Sequence, residues 1–110
     1  MPGSDLYTGT LDVLILKALA GGPIHGYAIG LWLRHRSNET LQVQEGVLYP
    51  ALHRLLRRDL VSAKWGVTDT NRRAKFYKLT PKGRKHLQAE TEKLTEHSEA
   101  VLSVLRTLHS

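Results

Sequence analysis

The chain has no cysteine. That excludes disulfides and thiolate metal sites and fits a reducing compartment. Aromatics are scarce, at one Phe, two Trp and four Tyr, and none follows Tyr77. No long hydrophobic run is present. The most apolar stretch, Leu11–Ala20, is interrupted by Asp12 and Lys17 and is too short to span a bilayer. The N-terminus lacks a basic segment followed by an apolar core and a small-residue cleavage pattern. Repeats and low-complexity tracts are absent. Six His residues stand at 25, 35, 53, 86, 97 and 109, with no pair four residues apart and no carboxylate in a ligand-like motif. Neither a nucleophile–base constellation nor a phosphate-cradling glycine loop is visible. These absences predict a soluble cytoplasmic domain of 110 residues that is not an enzyme, takes no metal or cofactor, and has no membrane partner.

Acid is missing where base is concentrated. Residues 53–86 hold eleven of the sixteen Lys and Arg against only Asp59 and Asp69, a net charge of +9. The rest of the chain is slightly acidic, so the whole carries +6. One strongly basic half on a small domain is the electrostatic footprint of a nucleic-acid binder. A solvated surface that only maintains solubility would look the same by charge alone.

The pattern of elements discriminates further. After a lead-in over residues 1–7, Thr8 or Thr10 can cap a helix with apolar residues Leu11, Leu14, Ile15, Ala18 and Leu19. Val13, Leu16 and Ala20 line a second side, which points to burial by a partner chain, and Gly21-Gly22-Pro23 ends the helix. A second helix runs from Ile24–His25 to about Arg36, with Tyr27, Leu31, Ile29 and Leu33 as its apolar side and His25 capping or packing at its start. Leu41–Val43 can form a short extended piece. A third helix spans Glu45 to Arg58, with Leu48, Ala51, Leu52 and Leu55 inward. At 100° per residue, Gly46, Pro50, His53 and Arg57 lie opposite, flanked by Tyr49 and Arg54. Val61, Ala63, Trp65 and Val67 alternate with polar or small residues, as in a half-buried strand. Asp69–Arg72 supplies a turn, and Arg73–Leu79 the return strand. Thr80-Pro81 opens a last helix that can reach Leu108. Its Leu87, Leu94, Val101 and Leu108 recur every seven residues, joined by Val104 and Leu105. The expected fold is mainly α with a small β-hairpin: a winged helix-turn-helix over residues 1–79 and a long C-terminal dimerisation helix over 80–110, in one structural domain. Pairing of that helix with its twin is the simplest way to cover its stripe.

Several segments together resemble one family. They are Gly9-Thr10-Leu11-Asp12-Val13-Leu14-Ile15-Leu16, His25-Gly26-Tyr27, the run from Gln42 to Leu55 containing Leu48-Tyr49-Pro50-Ala51-Leu52, and Asn71 to Gly83 containing Leu79-Thr80-Pro81-Lys82-Gly83. Over residues 6–108 the chain closely resembles the PadR family of bacterial transcriptional regulators, in its short subfamily with a single C-terminal helix. The resemblance implies a homodimer that binds a pseudo-palindromic double-stranded DNA operator, usually as a repressor. It also implies that a small-molecule effector releases DNA in some members. Three departures stand out. Val47 replaces the common Ser or Thr before Leu-Tyr-Pro. Glu45 adds negative charge near the expected DNA. No aromatic follows Tyr77, where members that sandwich flat drugs carry a Trp.

The candidate DNA-binding residues are therefore Gly46, Tyr49, His53, Arg54 and Arg57 on the third helix, with Arg72, Arg73 and Lys75 on the hairpin. Arg suits guanine edges, whereas Tyr and His more often meet phosphate or sugar. Asn71 shapes the turn. Trp65, Phe76 and Tyr77 are expected to pack the hairpin and core rather than stack on bases. Candidate dimerisation residues are Leu11, Leu14, Leu87, Leu94, Val101, Leu105 and Leu108. The competing reading is a ligand-binding or protein-interaction module on the same scaffold without operator specificity.

Overall fold

The computed structural model describes residues 2–109, and side chains for residues 9–109. Helix α1 (Pro2–Ala18) passes into a single 3-10 turn, Leu19–Gly21. Gly22, at φ 133°, then reverses the chain in a conformation that side chains with a Cβ rarely adopt. Strand β1 (Ile24–His25) leads into α2 (Gly26–Arg36), and α3 (Glu45–Arg57) follows a loop. Strands β2 (Val61–Val67) and β3 (Arg73–Leu79) form the hairpin, and α4 (Pro81–Leu105) completes the chain. The three strands make one antiparallel sheet in the order β1-β3-β2. This is the expected winged helix-turn-helix followed by a long helix.

α1 starts at Pro2, earlier than the cap expected at Thr8 or Thr10, and Thr10 lies inside it. Proline is tolerated at a helix start because its missing N–H has no partner there in any case. The helix is the spine of the core: Leu11, Ile15, Leu16 and Leu19 are almost wholly buried. It packs against α2, α3 and α4, and Val13 and Leu94 line the same cleft along the α1–α4 seam. One chain thus covers both apolar sides of α1. The expectation that Leu11 faces a partner is corrected by its 3% exposure in the single chain. Leu14 is half-buried at the edge of the same core.

In α2 the buried positions are Gly26, Ile29 and Leu33, spaced as one helical face. Tyr27 and Leu31, expected inward, stand exposed roughly 130–170° round the helix from that face. His25 caps the helix as expected, its Nδ1 accepting from the Ala28 N–H at 3.4 Å. Leu41–Val43 forms no strand. The extra strand is instead Ile24–His25, which pairs with Tyr77 and Phe76 of β3. In α3, Leu48, Ala51, Leu52 and Leu55 are buried as their spacing required.

The hairpin pairs Val61 with Leu79 at its base and Val67 with Arg73 at its tip. Asn71 takes the left-handed conformation of the turn, at φ 62°. Alternation extends along β2, but the core does not. Val61 is buried, whereas Trp65 and Val67 are more than half exposed, because the hairpin runs past the helices that could cover them.

α4 is fixed at its first turn. The Thr80 hydroxyl accepts from the Gly83 N–H at 2.9 Å and donates to the Asp59 carbonyl at 2.7 Å. The Thr80 N–H donates to the Leu60 carbonyl, and Lys82 Nζ donates to the Arg58 carbonyl at 3.0 Å. Gly83 is required here, since a Cβ would run into the Leu60 carbonyl oxygen. From this joint the helix runs for 25 residues, about 37 Å at 1.5 Å per residue. It ends at Leu105, so Leu108, expected on its stripe, lies beyond it and is 92% exposed.

Candidate nucleic-acid interface

The outward side of α3 carries Gly46, Pro50, His53 and Arg57, all exposed. A Cβ at Gly46 would meet nothing within 4 Å, so this end of the helix is open to close approach by a ligand. Tyr49 stands at the edge of that face, 42% exposed. Its ring lies over Gly26 at the start of α2, where a Cβ would stand 2.7 Å from Tyr49 Cε1. The glycine of His25-Gly26-Tyr27 is thus the seat of the tyrosine of Leu48-Tyr49-Pro50, two sequence motifs joined in space. Tyr77 lies close by, and its phenol is raised above the ordinary value of 10.0 by burial first and by Tyr49 second.

Arg54, on the flank of that face, keeps 34% of its side chain exposed and is also tied inward. Its Nη2 donates to Asp12 Oδ1 of α1 at 2.9 Å, turned toward the core. Asp12 is the acidic residue that interrupts the apolar run Leu11–Ala20. The clue was available, because a carboxylate between Leu11 and Val13 on a buried helix needs a cationic partner.

On the hairpin, Arg72, Arg73 and Lys75 are all exposed. The Arg73 guanidinium lies 4.5 Å from the Trp65 ring centroid and the Lys75 ammonium 5.9 Å from it. Trp65 is therefore neither core nor an empty stacking platform: it holds two cations at the tip of the wing. Such contacts contribute about 0.5–1 kcal/mol at an exposed site and restrict the Arg rotamers. Phe76 lies on the other face, edge-on to His25 with centroids 5.5 Å apart. Trp65, Arg73 and Lys75 share a hairpin face with Tyr77. With His25, Tyr27 and Tyr49 they line an open cleft between the wing and the helices. The wing cations and the head of α3 thus border one concave surface. Arg57, Arg72, Arg73 and Lys75 meet no carboxylate among the described residues. Unneutralised cations around an open groove suit a polyanion.

The dimerisation candidates divide by depth. Leu87 packs half-buried on the core and Leu94 lines the α1–α4 seam. Val101 and Leu105 are exposed on the far half of α4, beside Leu102 and Val104. Among the described residues no group of three His, Cys, Asp or Glu side chains could hold a metal ion, and no helix is long and apolar enough to cross a membrane.

Comparison with known proteins agrees with this geometry. A PadR-like transcription factor from Bacteroides fragilis is 32% identical, with a TM-score of 0.75 over 93% of this chain and 96% of that one. The transcriptional regulator Rv3488 of Mycobacterium tuberculosis is 35% identical over 80% of this chain and 78% of its own length. Bacillus subtilis PadR, solved in complex with operator DNA, shares the fold at 24% identity and a TM-score of 0.65, over 73% of this chain and 44% of that one. Residues 15–89 match the transcriptional regulator PadR-like family, and the chain belongs to it.

Proposed function

We propose that the protein binds double-stranded DNA as a homodimer on an inverted-repeat operator and represses transcription there. The observation that carries this reading is the exposed surface shared by α3 and the wing. Gly46, Tyr49, His53 and Arg57 stand along the helix, and Arg72, Arg73 and Lys75 stand on the hairpin without carboxylate partners. α3 enters the major groove with Arg57 and His53 facing base edges or phosphates, Tyr49 reaches the backbone, and the wing lays its cations along an adjacent strand. Bacillus subtilis PadR, which shares this fold, is solved in complex with operator DNA, which supports duplex DNA as the partner.

Residues 80–110 serve pairing. Val101, Leu102, Val104 and Leu105 leave a large apolar surface at the far end of α4, in a chain whose longest extent is 61 Å and whose width is 28 Å. A second copy related by a two-fold axis covers it, and two-fold pairing sets the α3 helices about 34 Å apart, one DNA turn. A small-molecule effector would be detected by thermal stabilisation.

The test is selection of bound fragments from random duplexes, followed by titration of the selected and random sequences at one stated salt concentration. Preference for the selected duplex by about a thousandfold or more is expected. Equal affinities would reduce the surface to a non-specific cationic patch and refute the operator.

A further inference from the structure

Asp12 is the one buried charged or polar residue among those described. Its carboxylate takes the Arg54 guanidinium at 2.9 Å, and Arg54 Nε is itself buried without a hydrogen-bond partner. Such a pair is a poor source of stability. Desolvation of the two charges offsets much of their attraction, and apolar replacements of similar volume are often neutral or stabilising. The unsatisfied Nε adds a further cost. A buried carboxylate held by one part-buried guanidinium supplies register instead. The remaining surface between α1 and α3 is aliphatic, built from residues such as Leu11, Ile15, Leu48, Ala51, Leu52 and Leu55. Aliphatic faces tolerate small slides and rotations, whereas an ion pair is satisfied at one height and one rotation. α3 is also the helix whose outward side carries Tyr49, His53 and Arg57.

We infer that Asp12 and Arg54 are positioning residues: their pair fixes the rotation and height of α3 on α1, and through these the aim of the DNA-reading face. Arg54 acts from within the fold and not as a contact to bases. The inference rests on the DNA reading proposed above.

The test compares the wild type, Asp12→Asn, and the double variant Asp12→Leu with Arg54→Met. Each is measured for melting temperature and for affinity to the selected operator, to random duplex, and to operators with half-site spacing changed by one base pair, all at one salt concentration. The double variant is expected to melt at or above the wild-type temperature and to bind random duplex as the wild type does. Its operator-over-random ratio should fall about tenfold or more, with a flatter spacing preference. An unchanged ratio and spacing preference in the folded double variant would overturn the inference. Tighter operator binding by Asp12→Asn would do so as well, because Arg54 would then be a DNA contact held back by Asp12. Should the double variant not fold, Asp12→Asn carries the comparison alone: a reduced ratio supports positioning and an unchanged one overturns it. Lack of operator preference in the wild type would sink the DNA reading itself, and that outcome is seen before any variant is compared.

Discussion

Replacing Gly26 with Ala separates the seat of Tyr49 from the stability of the fold. An added Cβ would stand 2.7 Å from Tyr49 Cε1, 2.8 Å from its hydroxyl oxygen and 3.0 Å from Cζ. Carbon atoms in good contact are about 3.5–4.0 Å apart, so the ring must move by roughly 1 Å. It can do so, because these atoms are the far end of a side chain that is 42% exposed. The Gly26 backbone is compatible with Ala, since its φ is not positive, and Ala favours a helix over Gly by up to about 1 kcal/mol. Folding stability should therefore change by less than about 1 kcal/mol. DNA binding should not escape so lightly. In the proposed docking, a phenol displaced by 1 Å loses its hydrogen bond to a phosphate, and bonds to charged groups are worth about 1.5–3 kcal/mol, or about 10- to 150-fold in affinity. Titration of labelled operator by fluorescence anisotropy would measure the loss. The decisive comparison is a double-mutant cycle. In a Tyr49→Ala background the new Cβ has room, so Gly26→Ala should then have no further effect. Additive losses from the two substitutions would refute the seat, and wild-type affinity in both single variants would remove Tyr49 from the DNA surface.

Other perturbations reach separate parts of the structure. Arg73→Ala should weaken binding to all sequences alike and lower the log–log salt slope by about 1, whereas Trp65→Ala, which removes the platform but keeps the charge, should leave the slope unchanged while lowering affinity a few-fold; salt titrations distinguish the two. Glu45→Gln removes an exposed carboxylate from the first turn of α3 and should tighten DNA binding, most at low salt where repulsion is least screened; weaker binding would make Glu45 a contact or a support. Val101→Glu with Leu105→Glu places charge on the exposed half of α4 and should give folded monomers in sedimentation, with poor operator binding. The Tyr77 phenol, raised above 10.0 by burial and by Tyr49, keeps its full contribution to stability below pH 10 and loses it as pH rises through the higher folded value. Alkaline unfolding should therefore be steeper for the wild type than for Tyr77→Phe.

Much of this architecture is written in local signals. Thr80-Pro81 marks a helix start whose hydroxyl does cap the Gly83 N–H, and Leu48, Ala51, Leu52 and Leu55 define a buried face through helical spacing alone. The misplacements share one cause: periodicity reports which side of an element is apolar, but not what covers it. α1 reads as two-sided whether its second side meets α4 or a partner chain. β2 alternates to Val67 although the core stops near Ala63. Arg54 lies midway between the inward and outward faces of α3, and only the distant Asp12 decides its direction. Strand β1 is two residues long and owes its existence to β3, so no local pattern could announce it. The joining of Gly26 to Tyr49 was equally out of reach, because contacts between separate motifs are products of packing.

The joint at the start of α4 gives that helix the mechanics of a lever. Thr80, Lys82 and Gly83 hook it to Arg58, Asp59 and Leu60, the short bend connecting α3 to the wing. A helix about 37 Å long that tilts by about 5° at such a fulcrum moves its far end by about 3 Å. Read in reverse, a displacement of that size at the distal tip would reach the bend between α3 and the wing as a turn of only a few degrees. Because α4 also lies along α1 as far as Leu94, such a tilt would carry α1 with it.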